Sequence, residues 1–421
     1  MDTRSEKLTG LLKTLGPGII MAGAAIGVSH LVQSTRAGAD YGFYLIWAVL
    51  LALILKYPFL EFGPRYTAAT GESLLEGYMK LGAWAMVVFL IITFGTMFTI
   101  TAAVTVVTAG LTANMTGLTL NPVLWSAVIL TVCAIILASG QYPILDKLMK
   151  VLMSVLAIST VIAVIAAFAH GSNAAPEFQR PELWNLAGFS FVLALMGWMP
   201  IPIDVAVWHS LWTLERTKET RHKPSIDEAT FDFKFGYAAA ALMALGFLTL
   251  GALVMYGTGK SFADSGAIFA GQLINLYAAT LGEWSRPIII ATAFTTMFST
   301  TLTVLDAFPR VLRRVTEIIV PQTKETRDSK RLYLVYLILV AGLSVLFLWA
   351  LGKTFTAMVD FATILSFLTA PILAYINYRV VTSPEMPEAG RPPTGLKILS
   401  WIGLIFLTGF ALVYLYNLIF L

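Results

Sequence analysis

The chain has 421 residues, of which 57% are hydrophobic and 12% charged, with a mean hydropathy of +0.79 and a formal net charge of +4. That balance excludes an ordinary water-soluble domain and calls for lipid. The single Cys133 excludes an internal disulfide and any cysteine-cluster metal site.

Residues 1–15 are polar and basic and run into an apolar stretch without a small-residue cleavage pattern, so no removable signal peptide is expected. A spanning helix takes roughly 20 mainly apolar residues, and helices satisfy their own backbone groups inside lipid. Such stretches fall at 17–37, 43–64, 83–112, 123–140, 148–169, 186–212, 233–257, 285–307, 332–351, 355–378 and 398–420. The reading is therefore eleven spans in one membrane domain, 1–421, without a soluble module.

Lys and Arg accumulate on cytoplasmic loops. With the N-terminus inside, only Arg180, Lys260, Arg286 and Lys353 fall in outside loops and only Arg36 and Lys56 within spans; all other Lys and Arg lie on the inner side. An odd span number then puts Leu421 outside. Topology accounts for the net charge, so nucleic acid is not expected as a partner.

The first span carries Ala24-Ala25-Ile26-Gly27-Val28-Ser29-His30 at mid-membrane depth, followed by Gln33, Ser34 and Arg36. The sixth carries Gly197-Trp198-Met199-Pro200-Ile201-Pro202-Ile203-Asp204. Each proline removes an N–H and clashes with the carbonyl one turn back, which frees carbonyls to face a cavity. Transporters commonly bind substrate at helices interrupted in corresponding places of two inverted repeats. A kink with no ligand role is the alternative for either break alone. If the breaks correspond, spans 1–5 (1–169) and 6–10 (186–378) are the repeats and 398–420 is an additional helix.

A carboxylate in hydrocarbon is costly unless it faces a cavity or a partner. Asp204 therefore reads as a cation ligand, direct or through water, against a structural role on the broken helix. His30 reads as a ligand or proton acceptor against a hydrogen-bonded core histidine. Arg36 screens cations or holds an anionic group, against snorkelling to the interface. Lys56 and Glu61, five apart in span two, read as structural contacts to other helices. In span eight, Thr292, Thr296, Ser299 and Thr303 share a face that either lines an ion site or bonds back to its own helix. Asp306 and Arg310 read as an interfacial i,i+4 pair. HExxH, GxSxG and filter motifs are missing from the sequence, which argues against a membrane enzyme and a channel.

Gly16-Pro17-Gly18 before span one, Ala37-Gly38-Ala39-Asp40-Tyr41-Gly42 after it, and Leu45-Ile46-Trp47 with Ala69-Thr70-Gly71 at the ends of span two are similar to stretches of the Nramp family of proton-coupled divalent metal transporters. His209-Ser210 in span six and Leu365-Ser366 with Pro371 in span ten extend the resemblance over most of the chain. It implies an all-α membrane protein of LeuT-type fold, with 11 transmembrane helices, inverted repeats of spans 1–5 and 6–10, and broken helices 1 and 6. The family's Asp-Pro-Gly-Asn falls on Gly27-Val28-Ser29-His30, so both metal ligands are replaced. Its Met-Pro-His falls on Pro202-Ile203-Asp204, and the soft thioether is lost unless Met199 takes its place. Residues 99–107 of span three hold no ionisable group where the family has an acidic pair, and the span-ten glutamine falls on Ala362.

The resemblance thus implies substrate binding by Gly27, His30, Gln33, Met199, Pro202 and Asp204, with Asp204 the metal contact, and gating or proton transfer at His209 and Arg36. The expected function is alternating-access transport of a hard divalent ion such as Mg²⁺ or Mn²⁺ with an altered proton pathway. The alternative is a non-metal solute on the same fold. No cofactor is expected; the partners are the small substrate and the bilayer of the plasma (inner) membrane, and the chain is expected to act as a monomer.

Overall fold

Helix ends fall where the sequence supplies caps and breakers. Asn121 and Asn185 accept from the N–H groups of Val123 and Gly188, both at 2.8 Å, and Ser225 with Glu228 forms a capping box. The structure, a computed structural model, describes residues 3–118, 120–171, 178, 180–258, 268, 271–275, 278, 282–321, 326–351 and 355–420. Lys260, Lys324 and Lys353, used in the orientation argument, lie outside them.

The helices are α1 (Thr3–Thr14), α2 (Pro17–Ala25), α3 (Thr35–Tyr41), α4 (Ile46–Thr70), α5 (Leu74–Leu81), α6 (Ala83–Thr116) and α7 (Pro122–His170). They continue with α8 (Leu186–Gly197), α9 (Val205–Thr220), α10 (Ile226–Val254), α11 (Arg286–Ile319), α12 (Thr326–Leu351), α13 (Phe355–Val381) and α14 (Thr394–Phe420). A π-helical segment, Val28–Ser34, joins α2 to α3. Among the described residues, 9 helical segments are long and apolar enough to cross a membrane. One of them, α7, breaks at Gln141 (φ 46°, ψ −130°) just before Pro143 and supplies two spans. The pair α8 and α9 supplies the interrupted sixth, so the expected eleven are all accounted for. The short α5 and the C-terminal extensions of α6 and α11 lie beyond the expected boundaries, because helical hydrogen bonding continues past the apolar stretch into polar sequence.

The broken first span lies at the centre: 94% of its most apolar window is buried, against 28% for α12 at the rim. α10 packs along α2 and α3, while α4 packs along α9 and α8. Exchanging the first span for the sixth and the second for the seventh turns one pairing into the other, as two inverted five-span units require. The centre is tight because small residues let backbones meet. A Cβ on Gly18 would sit 2.0 Å from the Asp232 carbonyl of α10, and one on Gly251 would sit 2.3 Å from the Thr35 carbonyl.

Candidate functional site

Regular hydrogen bonding in the first span stops at Ile26 (φ −81°, ψ 66°) and Gly27 (φ −131°, ψ −124°), then resumes in π-helical turns. A Cβ on Gly27 would meet Thr300 Oγ1 of α11 at 2.3 Å, so only glycine allows this approach. Thr300 Oγ1 donates to the Gly23 carbonyl at 2.9 Å and ties α11 to the first half-helix. The other hydroxyls of that α11 face bond back to their own helix, for example Thr296 to the Thr292 carbonyl at 2.6 Å. In the sixth span α8 ends at Gly197, Pro200 and Pro202 interrupt the amide ladder, and α9 begins after Asp204.

A cavity lies between the two breaks, walled by Ala25, Ser29, Ile100, Trp198, Pro202 and Thr300 among others. Ser29 Oγ reaches to 3.4 Å from the Pro200 carbonyl, a long contact that bridges the breaks. The wall is mainly apolar, and the polar side chains in it are the hydroxyls of Ser29 and Thr300 and the indoles of Trp198 and Trp208. Gly27 thus permits the close approach of α11 beside this cavity, and Pro202 lines it.

Asp204 is buried, 5% exposed, at the N-terminus of α9 where the helix dipole favours a negative charge. It attracts Lys56 electrostatically without forming a direct ion pair. Lys56, in α4, donates instead to the carbonyls of Met196 (3.2 Å), Gly197 (2.9 Å) and Met199 (3.0 Å), so Met199 contributes its backbone oxygen to this cluster. Glu61, by contrast, turns to Arg65 of its own helix at 2.5 Å.

His30 is fully buried and turned towards α10: Nε2 donates to the Ala240 carbonyl at 2.9 Å, and Nδ1 lies 2.6 Å from Ser29 Oγ. The imidazole is not part of the cavity wall. Gln33 and Arg36 lie together at the far end of the first span, where both donate to Asp360 Oδ1 of α13, at 2.9 and 3.0 Å. Arg36 also donates to Gln33 Oε1 at 3.0 Å and stacks 5.1 Å over Phe191. Sequence reading missed Asp360, although an acid in an otherwise apolar tenth span is a signal that could have singled it out.

His209 lies between α2 and α10, with Nδ1 3.4 Å from Met21 Sδ and Nε2 3.5 Å from Asp232 Oδ2. Asp232 accepts from the N–H groups of Gly16 (2.9 Å) and Gly18 (2.7 Å), capping α2 from α10. Further along α9, Trp212 donates to Asp306, which also receives Arg310 at 2.6 Å and Tyr333 at 2.7 Å. The Asp306–Arg310 pair is buried at 0% and 1% exposure rather than interfacial, because α9 and α12 cover it. Arg313 donates to Glu215 at 2.8 Å and extends the cluster.

Among the described residues, no group of three or more His, Cys, Asp and Glu is placed to hold a metal. Beside the cavity the breaks offer a cation hydroxyls and carbonyls, with the Asp204 carboxylate outside the lining residues, all hard oxygen donors.

A family profile described as "Natural resistance-associated macrophage protein-like" matches residues 18–417. An uncharacterised protein of Pasteurella multocida is 38% identical over 405 residues, covering 95% of this chain and 91% of its own. The manganese transporter of Eremococcus coleocola superposes with a TM-score of 0.72 at 13% identity, covering 98% of this chain and 88% of the transporter. MhsT, in complex with L-phenylalanine, superposes with a TM-score of 0.61 at 14% identity over 95% of this chain and 98% of its own.

Proposed function

The chain belongs to the Nramp family, a multi-pass membrane protein of transporter fold, and from that premise we propose that it moves a hard divalent cation, Mg²⁺ or Mn²⁺, by alternating access. The observation that carries this reading is the meeting of two interrupted helices around one central cavity, with Ser29 of the first break 3.4 Å from the Pro200 carbonyl of the second. Loose ends at such breaks are what a transporter uses to hold an ion near the bilayer midplane. Asp204 supplies the charge and hard oxygens supply the coordination, which suits Mg²⁺ or Mn²⁺ better than a thiophilic metal. The repeats are 1–169 and 186–378 with 398–420 added, the N-terminus faces the cytoplasm across the plasma membrane, and the protein works as a monomer. Arg36 with Gln33 and Asp360 closes the outer side, and His209 with Asp232 lies on the inner side.

A second reading, a small organic solute, is favoured by one observation: the cavity wall is mainly apolar and includes Trp198 and Trp208. The related fold of MhsT accommodates L-phenylalanine.

The test is reconstitution into liposomes with dyes for Mg²⁺ and Mn²⁺. Cation uptake that Asp204→Ala abolishes in a folded protein is the expected result. Uptake left intact by Asp204→Ala removes the ligand role, and no uptake of either ion by the unmodified protein turns the assignment to the organic solute.

A further inference from the structure

α8 ends inside the protein at Gly197, where its last carbonyls carry the negative end of the helix dipole and the Met196 carbonyl accepts only capping bonds from just past the helix end, such as the Met199 N–H at 3.3 Å. In hydrocarbon such oxygens need a donor or a cation. The three carbonyls of Met196, Gly197 and Met199 converge on one point, at 3.2, 2.9 and 3.0 Å, and the atom at that point is Lys56 Nζ. An ammonium has three N–H donors and no acceptor, so all its hydrogen-bonding capacity is used there. The side chain is 1% exposed, and the acid it faces is Asp204, which has no direct ion-pair partner of its own.

We propose that the Lys56 ammonium is a tethered cation occupying a three-carbonyl coordination site at the end of α8, the place where a free alkali or ammonium ion would otherwise bind. The site recognises monovalent cations of about ammonium size by their charge and by oxygen contacts near 3 Å. Lys56 belongs to α4 and is anchored 140 positions from Met196, so it joins the second span to the break of the sixth through charge rather than apolar packing. Transport therefore needs no free monovalent co-ion at this position, because the chain carries one. This goes beyond the choice of substrate and rests on the transporter reading only for that last consequence.

Lys56→Met keeps the apolar stem and removes the charge, and leaves the carbonyl cluster open to a small ion. The probe is the thermal unfolding of the purified full chain in detergent at constant ionic strength in choline, sodium, potassium or ammonium chloride. Wild type is expected to unfold at the same temperature in all four. Lys56→Met is expected to unfold earlier in choline and to be stabilised saturably by at least one small cation, by about tenfold or more in the folded-to-unfolded ratio. Lys56→Ala leaves room for methylammonium, which should stabilise it where tetramethylammonium does not. If Lys56→Met does not fold in choline, its recovery by extraction in ammonium or potassium chloride supports the proposal, and recovery in none of the salts overturns it. Variants that respond no more than wild type overturn it, as does saturable stabilisation of wild type by sodium or potassium. None of these readings depends on flux, so failure here is distinct from failure of the transport assignment.

Discussion

Asp360→Ala removes the acceptor that joins the tenth span to the first at the end where Arg36 lies. Two contacts go with it, the ion pair from Arg36 at 3.0 Å and the hydrogen bond from the Gln33 amide at 2.9 Å. The side chains of Arg36 and Asp360 are 16% and 32% exposed, so solvent screens the pair and it contributes about 1 kcal/mol. The hydrogen bond to a charged acceptor adds about 1 kcal/mol at this partial exposure. Losing about 2 kcal/mol from the closed state shifts a closed-to-open equilibrium by up to about 30-fold. Arg36 keeps its stacking on Phe191, so the helix itself should remain in place. The shift is measured with a single cysteine at Ile201 on the cavity wall, in a Cys133→Ala background, as the rate of reaction with an impermeant thiol reagent added from outside. The expected rise is about tenfold or more, and Arg36→Ala should produce a similar rise. An unchanged rate in folded Asp360→Ala would falsify the view that this cluster closes the outer side.

Three further outcomes are expected. Asp232→Ala leaves the buried N–H groups of Gly16 and Gly18 without their acceptor, which should cost about 3 kcal/mol and lower the unfolding temperature; an unchanged temperature would show that the cap carries no stability. Cysteines at Glu182 and Trp284 in a Cys133→Ala background should react with an impermeant reagent outside intact cells and one at Lys223 should not, and the reverse pattern would end the orientation argument. Substrate uptake should proceed with little coupled proton movement, since span three has no acid and the His30 ring is turned from the cavity to the Ala240 carbonyl; substrate-dependent acidification of liposomes at a fixed ratio would contradict this.

Whatever follows from a residue's own chemistry was legible in the sequence. Hydrocarbon demands long helices, Pro200 and Pro202 must interrupt one wherever it packs, and Asn121, Asn185 and Ser225 cap helices through neighbours a few residues away. The family's stretches were equally legible, because they are contiguous. Partners across the bilayer were not. The spacing of Lys56 and Glu61 suggested contacts elsewhere, yet only packing decides that Glu61 meets Arg65 on its own helix while Lys56 reaches the end of α8. His30 read equally as a ligand or proton acceptor and as a hydrogen-bonded core histidine, and only packing turns its ring towards the Ala240 carbonyl of α10. Asp360 acquires a role because the tenth span lies beside Gln33 and Arg36, more than three hundred positions earlier in the chain. Local backbone chemistry acts over one or two helical turns and leaves its mark on adjacent letters, whereas a polar group in lipid takes whichever partner the packing of distant helices brings within about 3 Å, and that is set only when the tertiary structure forms.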